Sequence, residues 1–283
     1  MTWQVLIFIS VILFSVGTLF QRVLMERKAS DPIAYSIVFQ LLTGLIIGFY
    51  GFLFENMSFP EVIPLVNILL MTLLWTFANI FSFTALKHID VSRFTVVFSS
   101  RLFFTVVASS LFLSEFLTAQ QWLGAVLIFA SIYVVTQKSG EKFALTKYDT
   151  FSILAAMAFG FANTNDRFML KTFNLYPYVS IAFIFPAVFT ALVKPKHLKS
   201  LRVFADKTIF KNMVFLCLFY TVSSLTFFRA LQIAPNSSQV VAVNLTSVIL
   251  TVLLAIVFLK ERENLRRKIL GAVLSFIGLL LVG

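Results

Sequence analysis

Charge is scarce in this sequence. Only 12% of its 283 residues are Asp, Glu, Lys or Arg, about half the share of a typical soluble chain. So few ionisable groups could not cover a water-facing surface of this size, which excludes a soluble enzyme. Disorder is excluded as well, because 59% of the residues are hydrophobic and 35 of those are phenylalanine. Cysteine is nearly missing: the single Cys217 closes no intramolecular bridge, so a disulfide scaffold is out. Acidic residues number 12 against 23 basic ones, for a net charge of +11. An excess of cations can signal nucleic acid, but that reading needs a basic face on a soluble module, so no nucleic-acid partner is expected. What is abundant is apolar, with a mean hydropathy of +0.94. This is the composition of a polytopic membrane protein whose first partner is the lipid bilayer.

A helix crosses the bilayer core with about 20 apolar residues, all its backbone polar groups satisfied internally. Ten stretches qualify: 3–24, 32–54, 63–86, 93–113, 119–136, 150–170, 177–193, 211–231, 237–259 and 268–282. The expected fold is all-α, with ten transmembrane helices and short connectors. The longest connectors, 137–149 and 194–210, are too small to fold alone. The first span lacks a basic leader and a small-residue cleavage site, so it reads as a retained helix rather than a signal peptide. Of the 23 basic residues, 19 fall in loops that join an odd span to the next even one. Six of them lie between Lys194 and Lys211, and five between Lys260 and Lys268. The positive-inside rule then places those loops in the cytoplasm and both termini outside, with Trp3 at the outer interface.

The chain also repeats itself. A shift of 145 residues carries Arg22 onto Arg167, Pro32 onto Pro177, Ala85-Leu86 onto Ala230-Leu231 and Ser92 onto Ser237. Further on, the segment Leu123 to Leu127 recurs unchanged as Leu270 to Leu274. Chance likeness between apolar runs explains Leu and Val matches, but not an ordered set of Arg, Pro and Gly matches. Five spans per half is an odd number, so the halves must sit upside down relative to each other. Loop charge agrees: Glu115 to Gln121 has no basic residue, whereas its counterpart Lys260 to Lys268 has five. Inverted repeats are the architecture of alternating-access carriers, with the site near the midplane between the repeats.

The stretches from Ala85 through Glu115 to Gly124 and from Ala230 through Glu261 to Gly271 carry a resemblance. Each runs from Ala-Leu through a small-residue helix and an apolar run closed by Glu to a Gly-led last helix. In this the chain resembles the EamA-like type of the drug/metabolite transporter superfamily. Two departures stand out: Ser114 and Lys260 replace the usual Gly before the Glu, and the second half has one extra residue between Glu261 and Gly271. The resemblance implies five-helix repeats at 1–140 and 146–283, and a cavity lined by spans 1, 3, 4, 6, 8 and 9. It implies a secondary-type transporter of small metabolites such as amino acids, with export as the expected direction. It also implies residence in the bacterial cytoplasmic membrane. A multidrug or nucleotide-sugar carrier of the same fold, or a non-transporting scaffold, are the competing readings.

Ionisable groups at membrane depth are functional hypotheses by default. Arg101 lies about 12 Å into the fourth span at 1.5 Å per residue, behind Ser99 and Ser100. It reads either as a fixed cation for a carboxylate or phosphate, or as a packing arginine hydrogen-bonded to carbonyls or snorkelling to the cytoplasmic edge. The sixth span holds Asn163, Thr164, Asn165, Asp166 and Arg167 in one run. Asp166 falls near the outer edge within reach of Arg167, either as a gate or coupling group or as half of a structural pair, with Asn163 the better ligand. Trp75, Asn79, Tyr220, Ser224, Asn244 and Ser247 complete the candidate set on the spans that the resemblance assigns to the cavity. Taken singly, such residues are more often interhelical glue. The spans carry neither a paired-carboxylate site nor a His/Cys cluster, so no enzyme activity, metal or cofactor is expected. With no carboxylate at mid-depth, no proton-coupling site is obvious, and facilitated diffusion, exchange or coupling through Asp166 stay open. Gly44, Gly48 and Gly51 form a small-residue stripe, open to a homodimer face or to packing within one protomer. Pro186 should kink the seventh span.

Overall fold

Helix starts are written into the connectors. Asp31 accepts hydrogen bonds from the Ile33 and Ala34 amides with Pro32 at the first helical position. Thr146 and Asp149 form a reciprocal capping box, and Asp206 caps its helix through the Thr208 and Ile209 amides. Each satisfies amides that the helix itself leaves unpaired. A computed structural model describes residues 1–26, 30–113, 118–136, 145–234, 237–261 and 263–282. Among them the regular elements are all helical. In chain order they are α1 (Trp3–Met25), α2 (Pro32–Phe54), α3 (Leu65–His88), α4 (Val91–Phe98), α5 (Arg101–Leu113), α6 (Ala119–Thr136), α7 (Lys147–Met169) and α8 (Leu175–Val193). A 3-10 helix, Pro195–Ala205, leads into α9 (Lys207–Ile233), α10 (Ser237–Asn244), α11 (Ser247–Phe258) and α12 (Leu265–Val282).

Among the described residues, six apolar stretches are long enough to cross a membrane: α1, α2, α3, Val91–Phe112, α8 and α9. Large apolar side chains such as Phe8, Phe49, Phe52, Leu192 and Val257 face outward, as lipid requires. Two spans expected to be continuous are not. The stretch 93–113 is interrupted at Ser99-Ser100 and 237–259 at Leu245-Thr246, at equivalent places in the two halves. In both, backbone bonds tighten to a three-residue spacing: Ser100 N to Val97 O at 3.2 Å, and Thr246 N to Val243 O at 3.1 Å. The hydroxyls of Ser99, Ser100 and Thr246 donate to carbonyls three residues back. Hydroxyl side chains that offer the backbone such partners favour this local 3-10 turn.

The connector 194–210 also departs from a plain loop. Its 3-10 helix is pinned to α2, where His197 Nδ1 lies 2.7 Å from Asp31 Oδ2 and Phe204 packs on Tyr35 at 4.8 Å between ring centroids. Burial raises the Asp31 pKa. Hydrogen bonds from His197, Ser200 and the Ile33 amide, with the His197 charge, outweigh it and hold the carboxyl below its ordinary range. The connector 137–149 lies mostly outside the described residues, as does Glu115.

The halves are inverted in space. Arg22, near the end of α1, donates to the Leu86 carbonyl near the end of α3 at 2.5 Å, so these helices run in the same direction. Arg167 of α7 repeats that bond on the Leu231 carbonyl of α9. Yet α3 runs against α7: Asn67 meets Asn165 at 2.7 Å near one end, and His88 stacks on Tyr148 at 3.9 Å near the other. The four most extensive helix contacts, α1 with α9, α3 with α7, α2 with α8 and α6 with α12, all join one half to the other. The glycine stripe belongs to this packing. A Cβ on Gly44 would sit 2.6 Å from Ile184 Cγ1, and one on Gly48 would sit 2.7 Å from Ser180 Oγ. The stripe therefore packs against α8 of the same chain. Pro186 is accommodated within a single α8, its carbonyl accepting from Thr190 at 2.7 Å.

A candidate substrate cavity around Arg101

A cavity lies between the halves. From α1 it takes Ser10, Phe14, Thr18 and Gln21; from α3, Trp75, Asn79 and Ser82; from α9, Tyr220, Ser223, Ser224, Phe227 and Phe228. Phe94 and Phe98 of α4, Arg101 of α5, Phe159 of α7 and Asn244 of α10 close it, with Phe39 and Phe183 from α2 and α8. The cavity is narrow, with about 60 Å³ for water-sized spheres, far below the ~300–1,000 Å³ typical of small-molecule pockets. Phenylalanine side chains must move before an organic substrate fits.

Arg101 is the chemical centre. Its side chain is 1% exposed, so the snorkelling reading does not hold. The guanidinium lies 5.1 Å from the Phe14 ring, 4.8 Å from Phe98 and 5.0 Å from Phe159, within cation–π range. Nη2 donates to Asn244 Oδ1 at 2.7 Å, and Asn244 Nδ2 donates to Ser10 at 3.3 Å. Nε and Nη1 are buried without a hydrogen-bond partner, and no described carboxylate lies within ion-pair distance. Arg101 is thus a buried cation on the cavity lining with two of its guanidinium nitrogens unpaired. Phe14 and Phe159 occupy equivalent positions in the two halves, so inverted symmetry flanks the cation with matching rings.

The remaining candidates divide. Trp75, Asn79, Tyr220, Ser224 and Asn244 line the cavity with Arg101. Ser99 and Ser100 do not: Ser99 bonds Val96 O and Ser275 Oγ, and Ser100 bonds Val97 O. Ser247 offers its carbonyl to Ser15 and lies outside the lining. Asn163, 1% exposed, is also outside the lining, and neither of its amide atoms has a hydrogen-bond partner. Sequence reasoning missed Ser10, Thr18, Gln21 and Ser223. The 145-residue shift pairs Gln21 with Asp166 and Thr18 with Asn163, a signal that was available.

Asp166 differs from expectation. It is fully buried within the protein. Its carboxylate accepts from Trp75 Nε1 at 3.2 Å and from the Tyr178 hydroxyl at 2.5 Å. Arg167 turns instead to the Leu231 and Ala234 carbonyls, so the expected Asp166–Arg167 pair does not form. The equivalent place in the first half is a lighter version, with Tyr220 donating to Gln21 Oε1 at 3.0 Å. At the end of the molecule bearing the basic loops, Arg93 holds Asp149 with two bonds of 2.7 and 2.6 Å. Beside it Glu261 caps α4 through the Val91 and Ser92 amides, and Lys268 reaches Asp90 at 2.6 Å.

Two inverted, interlocked helical halves around a buried, largely aromatic cavity have the architecture of a membrane transporter. The chain belongs to the EamA-like transporter family, which matches residues 1–137 and 146–283. It is accordingly a transporter and not an enzyme. It is similar to solute carrier family 35 member B1 of Bos taurus, 33% identical over 94 residues that cover 32% of this chain and 29% of the relative. The Drosophila melanogaster homolog of that carrier is 32% identical over 98 residues, covering 33% of this chain and 28% of the relative. The chain thus aligns with under a third of the length of these relatives. A protein of known crystal structure superposes with a TM-score of 0.68 at 14% identity, covering 99% of this chain and 95% of the other, a likeness of fold.

Proposed function

We propose that this transporter is a secondary carrier exporting small metabolites with an anionic group, amino acids first among them, from the bacterial cytoplasm. Its ten crossings work by alternating access of the two halves, with the basic loops inside. Arg101 carries the reading. Its free Nε and Nη1 bind the substrate anion, and Asn244, Asn79, Ser10 and Tyr220 orient the rest. A buried cation with neutral amide neighbours, Asn244 and Asn79, favours a small metabolite bearing an anionic group over a bulky lipophilic cation. Asp166, closed over by Trp75 and Tyr178, serves as the outer gate and coupling group. The Arg93–Asp149 and Glu261 clusters serve as the inner gate.

Counterflow in proteoliposomes tests this directly. The native chain should exchange labelled amino acids saturably. Arg101→Ala should lose at least about tenfold in apparent affinity, as expected when a charge-assisted bond is removed. Counterflow missing for every amino acid tried, or unchanged in Arg101→Ala, would overturn the reading.

A further inference from the structure

A second cavity lies at the end of the molecule away from the basic loops. It offers about 390 Å³ to water-sized spheres, within the ~300–1,000 Å³ range of small-molecule pockets. Leu6 of α1, Tyr176 of α8 and Leu225, Thr226 and Arg229 of α9 line it, with Glu55 where α2 ends.

Two opposite charges stand in this cavity without ionic partners. Among the described residues, no cation lies within ion-pair distance of Glu55, and no carboxylate within that distance of Arg229. Glu55 is poorly placed on electrostatic grounds. It closes α2, its amide donating to the Gly51 carbonyl, at the helix end whose free carbonyls already repel an anion. A cation there relieves both the carboxylate and the carbonyls. Tyr176 stands beside Glu55, 5.7 Å from Tyr50 between ring centroids, and aromatic faces also suit an ammonium. Arg229 is held in place: Nη1 donates to Gln232 Oε1 at 2.6 Å, and the Gln232 side-chain amide donates to the Leu170 carbonyl at 3.2 Å. The rest of its planar fork stays open to an anion.

This cavity does not extend the one around Arg101. On α9 that cavity takes Tyr220, Ser224 and Phe227, whereas Arg229 falls on the opposite side of the helix at about 100° per residue. Leu218 and Val222 share the Arg229 side and are 45% and 47% exposed. They form an apolar stripe, suited to lipid, that leads along α9 to the charged cavity. Exposed Tyr50 and Phe54 at the end of α2 match the aromatic belt at headgroup depth.

We infer that this cavity binds the headgroup of an amine-bearing phospholipid, its phosphate on Arg229, its ammonium on Glu55 and an acyl chain along Leu218 and Val222. A free amino acid carries the same pair of charges but gains nothing from the stripe. The site asks nothing of the cargo and stands apart from the carrier reading.

Native mass spectrometry of the full chain in detergent tests this, with phosphatidylethanolamine, phosphatidylcholine and phosphatidylglycerol added in equal amounts. Phosphatidylethanolamine should be retained at least about tenfold above the other two. Trimethylation removes the ammonium donors, and glycerol removes the positive charge. Glu55→Gln and Arg229→Gln change exposed residues and should fold. The first should erase the preference, and the second should lower retention of all three lipids about tenfold. Arg101→Ala should leave retention unchanged. Retention that ignores the headgroup, a preference that survives Glu55→Gln, no loss in Arg229→Gln, or a loss in Arg101→Ala overturns the inference. So does displacement of the lipid by an equal concentration of free alanine, which would make the cavity a site for soluble zwitterions.

Discussion

At the scale of single residues, Arg101 shows what a sequence can betray. It is the one cation expected at mid-span, and the cost of burying it marked it before any geometry was known. Its partners were less legible. Among 35 phenylalanines, nothing in local sequence sets apart Phe14, Phe98 and Phe159, whose role comes from facing one guanidinium across three helices. Arg101→Lys keeps the charge but not the planar fork that Nε and Nη1 present. We expect it to fold and to bind substrate more weakly than the native chain in an equilibrium assay; native affinity in this variant would show that a point charge suffices. Asp166 can be separated from its neighbours in the same way. An Asn there still accepts from Trp75 and Tyr178 but leaves its amide donors unpaired in a buried site, so Asp166→Asn should cost about 1–3 kcal/mol in thermal unfolding and still fold. It should also abolish any response of counterflow to an imposed proton gradient, and a preserved response would remove Asp166 as the coupling group.

Helices were legible as apolar runs of bilayer length, but their interruptions were not. Ser99-Ser100 read as a polar patch on a continuous span. The tightening to three-residue bonds there and at Leu245-Thr246 leaves the apolar pattern almost undisturbed, so periodicity carries no sign of it. The close approach of α7 to α5 was equally hidden. A Cβ on Gly160 would meet Phe104 Cβ at 2.6 Å and backbone atoms of Arg101 and Thr105 at 2.8 Å. Backbone cannot swing aside as a side-chain tip can. Gly160→Ala should therefore cost about 1–3 kcal/mol in thermal unfolding and displace the start of α5, where Arg101 sits; unchanged stability would mean that the contact relaxes freely. The 3-10 helix Pro195–Ala205 has its own signature. Because the folded structure holds the Asp31 carboxyl below its ordinary pKa, its docking is fully present above about pH 4. That contribution is lost as pH falls through the depressed value. Hydrogen exchange across 195–205 should quicken below about pH 4 in the native chain, while in Asp31→Asn it should already be fast at neutral pH.

For the whole molecule, the inverted duplication was the most legible feature, because ordered Arg, Pro and Gly matches survive where apolar residues drift. Which helix of one half packs on which of the other was not legible, since either half alone is compatible with several partners. The Arg93–Asp149 pair joins α4 to α7 across that boundary with Asp149 fully buried. Removing the arginine strands a buried carboxylate, so Arg93→Gln should lower stability by roughly 3 kcal/mol. It should also make a cysteine placed at Phe94 more reactive; a silent variant would show that the pair closes nothing.

The interlocking of the halves has a consequence for biosynthesis. While the ribosome is still making the second half, α1 is already in the bilayer with Ser10, Thr18 and Gln21, yet α9, which receives them, comes more than 180 residues later in the chain. Early helices must wait in lipid with their polar faces unmet. Final assembly is therefore delayed until the second half has been inserted, and a chain truncated after its first repeat would carry the faces of a core without the core.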